Sequence, residues 1–142
     1  MSSYADASFL ISLYTLDGNS VAATTRMRVA ELPFVLTSLG ELELTNALEL
    51  RVFRKELDRR HVKIAQREFR RDIDEGIFSL KPLAEVVYER ARRMAGRRSA
   101  QLGTRTLDIL HIASAMASGA NAFYTFDKKQ QRLAAAEGLQ IA

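Results

Sequence analysis

Residues 121–142 read NAFYTFDKKQQRLAAAEGLQIA. NAFYTF is a strand by its aromatic and apolar content, KKQQRLAAAEG a helix stopped by Gly138, and LQIA a last strand. No hairpin signal such as Asn-Gly joins the two strands, so the segment reads as strand, crossover helix, strand.

The same alternation extends back through the chain. SSYADAS is a short strand running into the helix FLISLYTL, residues 20–31 are helical, and LPFVLT is a strand after Pro33. A helix then runs from Ser38 to about Leu57, with Ser38 and Glu41 spaced as a capping box. A second covers roughly 61–75, IFSL is a strand, and Pro82 at a helix N1 position opens a helix to about Ala95, before Gly96. GTRT leads into TLDILHIASAM at 106–116, a helix apolar on most of its surface. Strands alternating with helices predict an α/β fold with a parallel sheet covered on both faces. No repeat or linker divides the chain, and 1–142 reads as one domain.

The 142 residues contain no cysteine, which excludes a disulfide framework and a thiolate metal site. The longest apolar run is far short of a membrane span. MSSYADAS lacks a basic segment followed by an apolar stretch, so a cytoplasmic protein without a membrane partner is the expectation. Residues 51–98 hold 15 of the 21 Lys and Arg and 8 of the 17 Asp and Glu, so a net charge of +4 conceals a basic middle between acid-bearing ends. That division suits a polyanion held near carboxylates, and equally a solvated helical face.

The acids carry the sharper signal. Asp6 and Asp127 lie at carboxyl ends of strands, where open α/β sheets form ligand crevices. Asp108 lies in the first turn of the apolar helix, and Glu43 one turn into the 38–57 helix. Each also has a local reading: Asp6 and Asp127 are good N-caps, Asp108 suits the helix dipole, and Glu43 suits a solvated helix. Asp108 fits its local reading least, because a cap does not require apolar neighbours all round.

Together, D-A-S-F-L after the first strand, E-x-x-N-A-L in an early helix, G-T-R-T-x-D-I-L-H-I-A-S-A in a late helix and Y-T-F-D-K-K-Q at a strand end resemble the motifs of the PIN-domain family. The resemblance covers essentially the whole chain and is nearest to the VapC group, the toxin halves of prokaryotic type II toxin–antitoxin modules. It implies a three-layer α/β/α sandwich. It further implies that Asp6, Glu43, Asp108 and Asp127 converge as an acidic pocket that binds Mg²⁺ or Mn²⁺ and serves catalysis; the Asn46-Ala47-Leu48 register selects Glu43 over Glu41.

The implied activity is a metal-dependent endoribonuclease leaving a 5′-phosphate and a 3′-hydroxyl. Hard divalent cations prefer oxygen ligands, and four carboxylates in one crevice need a cation to remain ionised together. The resemblance also implies a homodimer and a cognate antitoxin that inserts an Arg or Lys among the acids. Arg105 falls where it could contact a phosphate or pair an acid, and Thr125 where it could orient Asp127 or bind a metal-bound water. Ser8 could cap its helix or reach the pocket, and His111, one turn after Asp108, suits a structural or supporting role more than that of a base. His61 and the cluster of Tyr4, Phe9 and Tyr14 read as surface and core. The alternatives are a non-catalytic nucleic-acid-binding or interaction module of the same fold and, more remotely, a haloacid-dehalogenase-like phosphatase. The latter requires Asp-x-Asp, where this chain has Ser8 at the second position.

Overall fold

The computed structural model describes residues 2–142. In chain order the elements are β1 (Ser3–Ala5), α1 (Ala7–Tyr14), α2 (Ser20–Val29), β2 (Phe34–Thr37), α3 (Ser38–Phe53), α4 (Arg59–Asp74), β3 (Phe78–Lys81), α5 (Glu85–Leu102), α6 (Thr106–Ala117), β4 (Ala122–Tyr124), α7 (Lys128–Ala136) and β5 (Gln140–Ile141). The five strands form one sheet in the order β3-β2-β1-β4-β5, every pair parallel. Parallel pairing forces each connection across a face of the sheet, and the helices therefore cover both faces.

Alternation along the short strands separates two cores. Tyr4, Val35 and Phe123 face one way, onto Met94 of α5, Ile112 of α6 and Leu133 of α7. Ala5, Phe34, Leu36 and Tyr124 face the other way, onto Phe9 and Leu10 of α1, Leu44 and Leu48 of α3 and Phe69 of α4. Burial on both faces makes these strands continuously apolar, as AFY and FVL show. Sheet and helices make the expected α/β/α sandwich. Among the described residues no helix is long and apolar enough to cross a membrane.

The strand order reverses at β1, which pairs with β2 on one side and β4 on the other. A crevice opens at such a switch point beyond the carboxyl ends of the strands. The residues that follow β1 and β4 and the first turns of α3 and α6 meet there.

Several local expectations are corrected. The capping box does not form: the chain passes from β2 directly into α3, Thr37 is the N-cap without a side-chain cap bond, and Glu41 lies one position too far to reach back. Glu41 instead faces Arg70 at 3.7 Å. Helix α3 ends at Phe53 rather than Leu57. Pro82 is not at N1, because α5 begins at Glu85 after the N-cap Ala84. Nor does Gly96 stop α5; the helix continues to Leu102 and ends at Gly103, whose φ of 61° is the left-handed conformation that favours glycine. The strand drawn over NAFYTF contracts to Ala122–Tyr124 because its partner β1 ends at Ala5, opposite Tyr124, and Thr125 beyond it turns its hydroxyl to Asp6.

Candidate active site

Asp6 follows β1 directly and caps α1, its Oδ1 accepting from the Phe9 backbone N–H at 3.0 Å. The Ser8 hydroxyl donates to the same oxygen at 2.7 Å, and the Thr125 hydroxyl donates to Oδ2 at 2.5 Å. Ser8 Oγ in turn accepts from the Phe126 N–H at 2.9 Å, and Thr125 Oγ1 from the Asp127 N–H at 2.9 Å. These bonds tie the turn after β1 to the turn after β4. Asp6 is fully buried; burial pushes its carboxyl pKa up, against the hydrogen bonds of Thr125, Phe9 and Ser8, which favour the ionised form.

Asp127 caps α7, with Oδ1 accepting from the N–H groups of Lys129 at 2.8 Å and Gln130 at 3.2 Å. Its Oδ2 accepts from Arg105 Nη2 at 3.0 Å. Arg105 is the N-cap position of α6, and Asp108 stands in that helix's first turn. The Arg105 guanidinium grips Asp108 through both oxygens, Nε to Oδ2 at 2.8 Å and Nη2 to Oδ1 at 3.1 Å. Hydrogen bonding and charge from Asp108, then from Asp127, drive the Arg105 pKa still higher. A single cation thus bridges two of the four acids.

Glu43 comes from α3, on the opposite side of the crevice. Its Oε1 is hydrogen-bonded to His111 Nε2. His111 is fully buried on α6, and its Nδ1 lies 2.9 Å from the Tyr4 hydroxyl. Burial pushes the Tyr4 pKa up, so this hydroxyl remains a donor. Tyr4 Oη also approaches Thr37 Oγ1 at 3.4 Å. The sequence marks Tyr4 as core, which it is, but the role of its hydroxyl beneath Glu43 has no local sequence signal.

A crevice of about 350 Å³ is lined by Ser8, Glu43, Arg105, Asp108, Asp127 and Gln130. Three of the expected acids therefore border one space, with Asp6 enclosed behind Ser8, Thr125 behind Asp6 and His111 behind Glu43. Among the described residues, however, no three side chains of the Asp, Glu, His and Cys types stand close enough together to hold a metal ion. The contacts explain the spacing: Arg105 holds Asp108 and Asp127, hydroxyls hold Asp6, and His111 holds Glu43. The donors are carboxylate and hydroxyl oxygens, the chemistry that suits a hard divalent cation. Arg105 supplies positive charge where Asp108 and Asp127 face each other, which is the requirement such a cation would meet. In donor chemistry the residues fit Mg²⁺ or Mn²⁺; in the spacing held by Arg105 and His111 they do not yet converge on one point.

A family model described as PIN domain matches residues 3–136. Among solved structures, VapC20 of Mycobacterium tuberculosis, a sarcin–ricin loop cleaving toxin, superposes with a TM-score of 0.71 at 16% identity, over 92% of this chain and 93% of that one. FitAcB from Neisseria gonorrhoeae gives 0.68 at 14% identity, covering 98% and 95%. VapBC2 from Rickettsia felis, bound to a DNA fragment from its promoter, gives 0.64 at 14% identity, covering 100% and 98%. A search of curated proteins by sequence finds no match.

Proposed function

The chain belongs to the PIN-domain family, and on that premise we propose that it is a Mg²⁺- or Mn²⁺-dependent endoribonuclease, the toxin of a type II toxin–antitoxin pair. The observation that carries the proposal is the placement of Glu43, Asp108 and Asp127 around one crevice at the sheet's switch point, with a guanidinium already bridging two of them. Asp6 and Asp108 would be the main ligands, with Glu43 and Asp127 completing the donor set. When bound, the ion would lower the pKa of a water and neutralise charge developing on a phosphodiester.

The remaining work falls to the chain's own residues. Ser8 and Thr125 fix both oxygens of Asp6. Arg105, half exposed at the crevice, would bind a phosphate oxygen through its N–H groups. Arg59, Arg60, Lys63 and Arg67 line a shallow basic cleft on α4 that suits an RNA backbone. RNA cleavage that requires Mn²⁺, stops in chelator and is absent from Asp108→Asn tests the proposal; cleavage unaffected by chelator refutes it.

VapC20, VapBC2 and FitAcB support the toxin reading and a protein antitoxin as partner. A second feature agrees with a partner: a largely apolar groove of about 530 Å³ between α1 and α4, lined by Leu13, Tyr14, Leu16, Leu57 and Ile64. An antitoxin Arg or Lys reaching the crevice would meet the same carboxylates that Arg105 now holds. The homodimer belongs to this reading, and light scattering that reports only monomer at high micromolar concentration counts against it. The reading also places the protein in the cytoplasm, as a single domain. The spread of the acids favours one other reading, a PIN-fold module that binds RNA without cutting it. RNA retention without Mn²⁺-dependent cleavage would select it.

A further inference from the structure

His111 is fully buried within the most apolar helix of the fold, yet both ring nitrogens are engaged: Nδ1 with Tyr4 Oη at 2.9 Å and Nε2 with Glu43 Oε1. The three residues come from three elements. Tyr4 is on the central strand β1, Glu43 on α3, and His111 on α6, three positions after Asp108. Asp108 and His111 therefore share a helix face, Asp108 at the crevice and His111 one turn deeper.

With Glu43 as a carboxylate and the imidazole neutral, the proton inventory of these groups has one consistent assignment. An ionised carboxylate only accepts, so Nε2 carries the proton that Glu43 receives. Nδ1 of the neutral ring is then an acceptor, and the Tyr4 hydroxyl donates to it. Tyr4 Oη has a lone pair left for the Thr37 hydroxyl, 3.4 Å away. All three hydrogen bonds run in one direction, from Thr37 through Tyr4 and His111 to the carboxylate, and each favours an ionised Glu43 with one oxygen fixed.

We infer that His111 is the positioning residue for Glu43: braced by Tyr4, its Nε2–H fixes one carboxylate oxygen and leaves the other to the crevice. The inference rests on the reading of the crevice as a divalent-cation site. Without the brace, Glu43 is a long side chain on the rim whose rotamers are free. With it, the acid from α3 is locked to the helix that carries Asp108, and the two sides of the crevice keep a fixed relation. Groups that orient a ligating carboxylate in this way usually change metal affinity by about 10- to 100-fold when removed.

Two substitutions at one position separate the two bonds. In His111→Gln the side-chain amide reaches the place of Nε2 and can still donate to Glu43. In His111→Asn the amide reaches only the place of Nδ1, and Glu43 loses its donor. Mn²⁺ affinity by calorimetry should fall about 10- to 100-fold in His111→Asn and stay within about threefold of the parent in His111→Gln. Nitrogen-15 shifts of the parent imidazole should report the Nε2–H tautomer. Cleavage of RNA by His111→Asn should need correspondingly more Mn²⁺ and recover at saturation.

If His111→Asn does not fold by circular dichroism, Tyr4→Phe carries the test; it removes one hydroxyl and should weaken Mn²⁺ about 3- to 10-fold. An Nδ1–H tautomer overturns the inference, as does parental Mn²⁺ affinity in whichever of these two variants folds. Mn²⁺ binding by the parent without RNA cleavage would refute the nuclease reading alone. A parent that binds no Mn²⁺ at all overturns both.

Discussion

Asp108→Asn separates the structural role of this acid from its chemical one. The residue is 2% exposed, and its two carboxylate oxygens accept from Arg105 at 2.8 and 3.1 Å. Asparagine keeps one acceptor but turns an amide toward a guanidinium N–H, which removes one hydrogen bond, about 1 kcal/mol. The ion pair itself adds little, because the Arg105 side chain is 56% exposed and solvent screens it; about 0.5 kcal/mol is a fair figure. A further cost of about 0.5 kcal/mol comes from losing a negative charge in the first turn of α6. Relief from burying a charge works in the opposite direction. A net loss of about 1–2 kcal/mol corresponds to a fall in Tm of roughly 3–8 °C for a chain of this size. Catalysis should suffer far more. Removing one charged ligand from a divalent ion that stabilises a phosphodiester transition state costs about 3 kcal/mol, which is more than 100-fold in rate. Thermal melts by circular dichroism, paired with single-turnover RNA cleavage in Mn²⁺, measure the two effects on one preparation. A folded Asp108→Asn variant that cleaves within threefold of the parent would refute the assignment of Asp108.

Three other outcomes follow from contacts in the structure. Arg105→Gln removes the internal cation from Asp108 and Asp127, and calorimetry should show Mn²⁺ binding tightened by about fivefold, the equivalent of about 1 kcal/mol of screened pairing; weaker binding would mean that Arg105 does not compete with the ion. At Asp17, burial raises the carboxyl pKa but is outweighed by the Arg51 guanidinium, the Asn19 N–H and the Ser12 hydroxyl, which together hold it below its ordinary value. A depressed carboxyl stabilises the fold above its unfolded pKa of about 3.9, and that contribution disappears as pH falls through the folded value, so melts below about pH 4 should be less steeply pH-dependent in Arg51→Met than in the parent. Gly103→Ala forces a side chain into the left-handed conformation at φ 61° and should lower stability by about 1 kcal/mol, with a parental melt counting against strain at that cap.

The elements legible in the sequence are those whose burial repeats regularly. FVLT, AFY and the apolar run in α6 are buried almost throughout, so composition alone announces them. Helix termini were less legible because they depend on what the chain meets next. Ser38 and Glu41 have capping-box spacing, yet β2 delivers the chain into α3 one residue early and the box has no cap to close. Gly96 within α5 and Gly103 at its C-terminal cap are the same residue type. Only Gly103 is required to adopt a positive φ, and a local reading had no means of choosing it over Gly96.

The crevice divides along a similar line. Asp6, Asp108 and Asp127 stand at positions that chain direction dictates, two capping the helices that follow strands and one in a helix's first turn, so their placement was readable before any side-chain contact was known. Their pairing was not. Arg105 is three residues from Asp108 but 22 from Asp127, and it bridges them because α6 leads into β4 and α7 leaves it, which sets the N-termini of both packed helices at the same end of the sheet. His111 reaches Glu43 across 68 residues and Tyr4 across 107. A buried histidine with an apolar surround must find two polar partners or lose more than the fold can spare, and one-dimensional spacing says nothing of who they are. In this chain the sequence-local acids supply charge to the crevice, and the long-range contacts of Arg105 and His111 decide how those charges are spaced. A cation entering the crevice would have to displace the first of these contacts while relying on the second. Metal affinity should therefore respond in opposite directions to the loss of Arg105 and the loss of the His111 donor, a contrast that simple destabilisation of the fold would not produce.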